Sequence, residues 1–128
     1  NIKFANLDDT QDYYIIVRHR NHIDLMSDAA VNVPNNGNEH DFTNPNNVMG
    51  TNQVVLLDAA SGLHGMYSGD TDGDGVIAVD DLNLVINQAG MIYTYAESDT
   101  NLDGFVTVSD YNVYNTNATI IGVIYVRY

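Results

Sequence analysis

The sequence predicts a mainly-β fold: a single β-sandwich-like domain with a pair of loop-helix units inserted ahead of a final C-terminal strand. Three observations support this class. The first 68 residues carry short β-branched and aromatic runs separated by turn residues. Residues 69–117 contain one acidic pattern twice. The last ten residues are apolar at both sets of alternating positions, which is typical of a strand covered on both faces.

Turn residues divide the β part into short candidate strands. An aromatic and β-branched run at 13–17 ends in the polar cluster 18–22, whose cations we expect to balance nearby acids. The stretch 34–47 carries six Asn and is predicted to be a loop. Gly62 and Gly65 are predicted to mark turns. The candidate strands are residues 13–17, 23–33 and 54–57.

Residues 69–117 differ sharply in composition, with nine acidic residues and no basic residue. The motif Asp-Thr-Asp-Gly-Asp-Gly at 70–75 recurs 29 residues later, at 99–104, as Asp-Thr-Asn-Leu-Asp-Gly. An apolar pair follows each copy at the same place. The segment is therefore a duplicated unit.

A short helix-like stretch follows each copy, at 81–88 and at 110–116. Ser109 is predicted to be the N-cap of the second helix, and Gly90 is predicted to end the first. Because an apolar strand at 119–128 follows, we interpret the repeat as an insertion in the β part. The predicted parts of the domain are residues 1–68, 69–117 and 118–128.

The two motifs have the ligand spacing of a 12-residue calcium-binding loop. In such a loop, positions 1, 3, 5 and 12 supply side-chain oxygens, position 7 supplies its carbonyl, and glycine at position 6 permits a sharp turn. We call residues 70–81 loop one and residues 99–110 loop two. The predicted ligands are Asp70, Asp72, Asp74, Val76 and Asp81 in loop one, and Asp99, Asn101, Asp103, Phe105 and Asp110 in loop two.

Charge repulsion in these loops predicts two bound Ca²⁺ ions. Loop one gathers four ligand carboxylates and loop two gathers three, which repel one another when no cation is present. Mg²⁺ is disfavoured because it needs a tight octahedron and retains its waters. The ions are expected to be structural, so the repeat should loosen in chelator. The apolar residues at position 8, Ile77 and Val106, are expected to sit back to back.

The pattern D-x-[DN]-x-D-G-x-[IV]-x-x-x-D is matched twice, with Asp at position 12 where an ordinary EF-hand has Glu. Each copy is followed by one helix and preceded by none. Residues 69–117 therefore resemble a type I dockerin pair, which implies a secreted protein and a cohesin-like partner. Residues 15–22 resemble a stretch found upstream of such repeats in large secreted proteins of Bacteroidetes-like bacteria. This resemblance implies an extracellular or cell-surface location.

The adhesive half of the dockerin pattern is missing. Dockerins recognise cohesins through hydroxyl residues at loop positions 10 and 11 and basic residues along the helix, whereas positions 79–80 and 108–109 here are Val-Asp and Val-Ser. The following helices contain no Lys or Arg. We therefore favour packing over a cohesin face for the apolar helix residues, which are Leu82, Val85, Ile86, Tyr111 and Tyr114.

Composition excludes several other functions. The formal net charge of −13 disfavours nucleic acid and anionic membranes, and the chain contains no apolar run long enough for a membrane span. No nucleophile motif or phosphate-binding loop is present, so we expect no enzymatic activity. A histidine metal site built from His19, His22, His40 and His64 is disfavoured because these residues lack an HExxH frame.

The sequence therefore favours a non-catalytic, extracellular, calcium-stabilised structural module. The favoured form is the subunit of a surface filament, in which a terminal strand such as 119–128 or 1–7 completes a neighbour's sheet, head to tail. The alternatives are a cohesin-binding module and a carbohydrate-binding or adhesion module that uses some of the nine Tyr. Asn117 begins a glycosylation-type sequon.

Overall fold

The computed structural model describes residues 7–8, 10–32, 39–92 and 95–123. The strands are β1 Asp12–Tyr13, β2 Ile16–His19, β3 His22–Met26, β4 Val31–Asn32, β5 Val54–Asp58 and β6 Leu63–Met66. A 3-10 turn covers Pro45–Asn47, and the helices are α1 Val79–Gln88 and α2 Val108–Asn117. Neither helix is long and apolar enough to cross a bilayer.

The strands within these ranges pair in twos, as antiparallel ladders β1–β4, β2–β3 and β5–β6. Small antiparallel sheets with two helices agree with the mainly-β class, but the predicted sandwich is not confirmed. The predicted strand 23–33 is broken after β3 by the buried Ser27. Its hydroxyl accepts a hydrogen bond from Ile15 N and donates one to Ala29 O, which turns the chain. The predicted strand 13–17 is likewise divided between β1 and β2.

The third predicted strand, 54–57, is confirmed as β5. Gly62 lies in the following turn with a φ of +70°, as predicted. Gly65 instead lies inside β6, opposite Val55. A Cβ atom there would lie 2.6 Å from Leu57 Cδ1, so Gly65 allows a close side-chain approach rather than a turn.

The described residues form two small hydrophobic cores. The first lies in the β part and contains Leu25, Val48 and Val54. The second contains Ile23 of β3, Ile77 of loop one and Tyr114 of α2, with Leu82 packed against it. The second core therefore joins the duplicated unit to the β part.

Of the helix residues predicted to be packed, Val85 and Tyr114 are buried and Leu82 contacts the second core. The prediction was wrong for Ile86 and Tyr111, which are 60% and 40% exposed.

The helices begin slightly earlier than predicted because of their caps. Thr107, rather than Ser109, is the N-cap of α2, and its hydroxyl accepts a hydrogen bond from Ser109 N at 3.2 Å. The first helix, α1, ends at Gln88, and Gly90 follows with a φ of +88°. The predicted stop at Gly90 is thus confirmed.

The backbone pairing preserves the 29-residue repeat. Val106 of loop two accepts a hydrogen bond from Gly90 N at 2.8 Å and donates one to Met91 O at 2.9 Å. Ile77 of loop one makes the equivalent bonds with Thr119 N and Ile120 O, at 2.8 and 2.9 Å. Each loop is therefore paired with the segment that follows the other loop's helix. The prediction that Ile77 and Val106 sit back to back was wrong.

This pairing also uses the beginning of the predicted final strand. Gly122 N donates to Gly75 O at 2.8 Å, and a Cβ atom at Gly122 would lie 2.9 Å from Ile23 Cγ2. Ile121 is 59% exposed rather than covered on both faces. Residues 119–122 thus fold onto loop one of their own chain, while residues 124–128 lie outside the described ranges.

Candidate metal centre

Loop one gathers three carboxylates at a single point. Oxygens of Asp70, Asp72 and Asp74 all lie within 4.8 Å of one another. Asp70 is buried, whereas Asp72 and Asp74 are exposed. An open pocket of about 290 Å³, lined in part by Asp70 and Asp74, lies beside them. A solvated cation can therefore reach this cluster.

Short-range hydrogen bonds fix the cluster. Asp70 Oδ2 accepts a bond from Gly75 N at 3.0 Å, Asp72 Oδ1 accepts one from Asp74 N at 3.0 Å, and Asp74 Oδ1 accepts one from Val76 N at 2.8 Å. Gly73 and Gly75 have positive φ angles of 73° and 82°, which residues with a side chain rarely adopt. The loop thus holds its acids together through its own backbone.

Asp70 Oδ1 is buried and has no hydrogen-bond partner among the described residues. Buried carboxylate oxygens are nearly always paired, so this oxygen lacks a donor or a cation. Burial, followed by the charge of Asp81, raises the pKa of Asp70 to about 7. Burial also raises the pKa of Asp72. The loop thus penalises its own negative charges, and a bound cation would remove this penalty.

Asp81, at position 12, joins the two ends of loop one. It is 1% exposed, and its Oδ1 atom accepts bonds from Thr71 N at 2.6 Å and Asp72 N at 3.1 Å. Its Oδ2 atom accepts a bond from Ala78 N at 2.7 Å, at the start of α1. Asp81 was predicted as a ligand, and here it ties the loop to the helix.

Asp110 repeats this arrangement in loop two. Its Oδ1 atom accepts bonds from Thr100 N at 2.8 Å and Asn101 N at 3.2 Å, and its Oδ2 atom accepts one from Thr107 N at 2.8 Å. The two loops are therefore each held by an equivalent set of hydrogen bonds.

The predicted ligand positions of loop two keep the bond from the glycine at position 6 and make further contacts that have no counterpart among the described residues of loop one. Asp99 Oδ1 accepts a bond from Asp103 N at 3.0 Å, and Asp99 Oδ2 accepts one from Gly104 N at 3.1 Å. Asn101 Nδ2 donates to Asp103 Oδ2 at 3.1 Å. Arg20 Nη2 lies 3.5 Å from Asp99 Oδ2. The first ligand of loop two is thus already paired with a cation from the β part.

The carbonyl ligands predicted at position 7 occupy equivalent places in the two loops. Val76 forms an isolated antiparallel bridge with Ile121, and Phe105 forms one with Ile92.

Two residues of this region were not predicted as part of the site, Arg20 and Asn21. Asn21 is 0% exposed, and its amide nitrogen donates to Glu97 O at 2.8 Å and Asp99 O at 2.7 Å. The polar cluster 18–22 suggested only that its cations balance acids. That expectation is met, because Arg18 pairs with Asp24 at 3.3 Å and Arg20 with Asp99.

Each of the four histidines places a ring nitrogen beside an oxygen of the protein. His19 and His22 each place Nδ1 against the amide oxygen of Asn21, at 3.0 and 2.8 Å. Because that oxygen only accepts, both Nδ1 atoms carry the proton. His40 Nε2 lies 2.8 Å from Asn47 O, and His64 Nδ1 lies 2.9 Å from Gly62 O.

The environment of His22 predicts a pH-dependent stability. Burial, then the charges of His19 and Arg20, lowers the pKa of His22 from 6.5 to about 4. Between these values the unfolded chain binds a proton at His22 that the folded chain does not, so His22 makes the free energy of unfolding fall as the pH drops from about 6.5 to about 4. In metal-free protein the raised pKa of Asp70 has the opposite effect between pH 7 and pH 5, so the contribution of His22 is measured against a variant that lacks it.

The His22→Asn variant is the test of this pH effect, because its amide can stand where Nδ1 stands. From pH 7 to pH 5 its urea midpoint should fall less, or rise more, than that of the wild type. His64→Asn, on β6, controls for the loss of a histidine. An equal pH dependence in wild type and His22→Asn would contradict the prediction.

The geometry of the region is thus a three-carboxylate cluster that could hold a metal ion, beside a related loop that is paired with Arg20. No family model, curated protein or solved structure matches this chain. The dockerin resemblance remains a prediction from the two motifs.

Proposed function

We propose that this protein is a non-catalytic structural module that is stabilised by calcium, with loop one as its principal site. The observation that carries the proposal is the buried Asp70 Oδ1, which finds no hydrogen-bond partner in the part of the chain that the structure describes and lies beside the carboxylates of Asp72 and Asp74. That oxygen therefore needs a hydrogen-bond donor or a cation. Because three carboxylates converge there, a hard cation is the preferred partner.

Calcium fits this donor set better than magnesium. The predicted shell of loop one consists of carboxylate oxygens and one peptide carbonyl, on a glycine-rich loop of adaptable shape. Ca²⁺ accepts six to eight such oxygens in flexible geometry, whereas Mg²⁺ demands an octahedron and keeps several waters. A second Ca²⁺ in loop two belongs to the same proposal.

A structural role follows from what loop one is attached to. Ile77, at its position 8, is fully buried in the second core, and the residues around it pair with 119–122. An ion that holds loop one closed therefore supports the contact between the repeat and the β part. Other aspartates serve turns: the carboxylates of Asp41 and Asp58 accept bonds from backbone N–H groups two residues ahead.

The wider setting in this proposal is an extracellular or cell-surface filament. Residues 119–122 pair with loop one of their own chain. Donation of a C-terminal strand to a neighbour would therefore fall to residues 124–128, or to the N-terminal segment. A cohesin-like protein or a glycan is the alternative partner, and a glycan array or calcium-dependent pull-down separates these from self-association.

The proposal is tested by titrating metal-free protein with CaCl₂ and with MgCl₂ in a calorimeter. We expect Ca²⁺ to bind more tightly than Mg²⁺ and to raise the melting temperature, since a ligand at about 100 times its Kd adds about 2.7 kcal/mol of stability. A wild-type protein that gives no calcium heat, and whose melting is unchanged by chelator, would overturn it.

The Asp70→Asn variant sharpens this test. It should lose about tenfold or more in calcium affinity, because a charged ligand is gone. Its metal-free form should nevertheless be at least as stable as the wild type, since the removed charge is buried and near Asp81. Asp80→Asn, which makes the same charge change at an exposed position, should leave calcium binding nearly unchanged.

A further inference from the structure

We propose that Arg20 acts as an internal counter-cation of loop two, so that the repeat fills in order, with loop one binding calcium first and loop two binding only when Arg20 is displaced. This inference rests on the proposed calcium function. It concerns how the two loops differ although their motifs and scaffolds correspond.

The first step is a comparison of the residues at position 1. Asp70 and Asp99 are both 3% exposed, and in both the Oδ2 atom accepts a bond from the glycine at position 6. Within the described ranges Asp70 Oδ1 has no partner, whereas Asp99 Oδ1 accepts a bond from Asp103 N at 3.0 Å. The unpartnered oxygen that suits a cation thus exists in loop one, and its counterpart in loop two is bonded.

The second step is the placement of Arg20. Its guanidinium lies 3.5 Å from Asp99 Oδ2, and the side chains of the two residues are 16% and 4% exposed. Its Nε atom donates to Ala96 O at 3.1 Å, and its Cζ atom lies 3.9 Å from the centre of the Tyr95 ring. Arg20 is therefore held by three contacts, and each would have to be weakened to release it.

The third step is the charge of the loops. Position 3 is Asp72 in loop one and the neutral Asn101 in loop two, so loop two has one fewer carboxylate to attract an ion. A cation bound by Asp99 would share that carboxylate with a guanidinium, and like charges at such short range repel. Both effects lower the calcium affinity of loop two relative to loop one.

The consequence is a link between metal binding and a contact of the β part. Arg20 lies between β2 and β3, and its neighbour Asn21 holds the backbone of residues 97 and 99. If Arg20 weakens calcium binding in loop two, then calcium in loop two weakens the contact of Arg20 by the same factor. Calcium binding to loop two should therefore loosen the contact between the β2–β3 hairpin and the duplicated unit.

The affinity of loop two is measured by calcium titration in the Asp70→Asn background, where loop one is disabled. Adding Arg20→Gln should raise the remaining affinity by about tenfold. Arg20→Lys, which keeps the charge but loses the Nε bond to Ala96 O and the stacking on Tyr95, should raise it less than Arg20→Gln does. Arg18→Gln makes the same charge change on β2, where Arg18 pairs with Asp24, and it should change the affinity of loop two much less than Arg20→Gln does.

A second measurement uses the wild-type protein and so does not depend on how the variants fold. The Nε–H signal of Arg20 is followed by ¹⁵N NMR during a calcium titration, with Arg20→Lys used to assign it. The signal should shift after loop one is saturated, with the second equivalent of calcium. A shift complete at the first equivalent, or an Arg20→Gln variant whose loop two binds no tighter, would overturn the inference. Absence of any calcium binding would instead overturn the proposed function.

Discussion

Replacing Asp81 with alanine is expected to lower the free energy of unfolding by about 3–5 kcal/mol, even in chelator. Its carboxylate accepts the N–H groups of Thr71, Asp72 and Ala78 while being 1% exposed itself. Thr71 is only 2% exposed, so its N–H group would keep only its bond to Gly69 O, at 3.0 Å, and would gain no water in place of Asp81. Measuring in chelator separates this scaffold role from any loss of a metal ligand.

Asp110→Ala provides an internal replicate, because it removes the same three kinds of bond from loop two. Asp81 also raises the pKa of Asp70, so its removal relieves some repulsion that offsets part of the loss. The matched controls are the exposed neighbours Asp80→Ala and Ser109→Ala, each expected to cost less than about 1 kcal/mol. Urea unfolding curves that place Asp81→Ala level with Asp80→Ala would refute the scaffold role.

The duplicated unit was predictable because its determinants are local. Twelve-residue spacing, glycine at position 6 and an acidic residue at the start of each helix specify a loop and a helix without help from the rest of the chain. The sequence therefore predicted both helices to within a few residues at each end. It did not predict that the carboxylate oxygens of Asp81 and Asp110 would accept hydrogen bonds from backbone N–H groups, because the ligand role and the capping role favour the same residue type.

The arrangement of the β part was less predictable because strand pairing is non-local. The sequence predicts one strand at about 23–33, yet Ser27 interrupts it through bonds to Ile15 and Ala29. Which strands pair depends on packing against partners remote in sequence. The pairing of residues 119–122 with loop one is a similar case, since an apolar segment does not specify its partner.

Arg20 and Asn21 could not be assigned to the site from sequence, since the residues that they contact are separated from them by 76 to 78 positions along the chain. A polar cluster at the end of a strand is compatible with a solvated turn, a salt bridge or a buried junction. Burial decides among these, and Asn21 is fully buried. The positive charges of the cluster 18–22 are evident from the sequence, but the loop that they contact is not.

The buried junction at Asn21 gives the second large prediction. Asn21→Ala is expected to lower the free energy of unfolding by about 3–4 kcal/mol. It removes the donors to two backbone carbonyls, those of Glu97 and Asp99, and the acceptor for two imidazole N–H groups, those of His19 and His22. Asn46→Ala, at an exposed position in the Pro45–Asn47 turn, is the matched control and should cost less than about 1 kcal/mol.

Hydrogen exchange distinguishes the loss of this junction from general destabilisation. Asn21 holds the backbone at the start of loop two, whereas loop one is held by residues 119–122 and by Ile77 in the second core. In Asn21→Ala the backbone amides of loop two, such as that of Gly104, should therefore exchange faster by a larger factor than the equivalent amides of loop one, such as that of Gly75. Equal acceleration in both loops would mean that the chain opens as one unit. In that case the β2–β3 turn would have no particular hold on loop two.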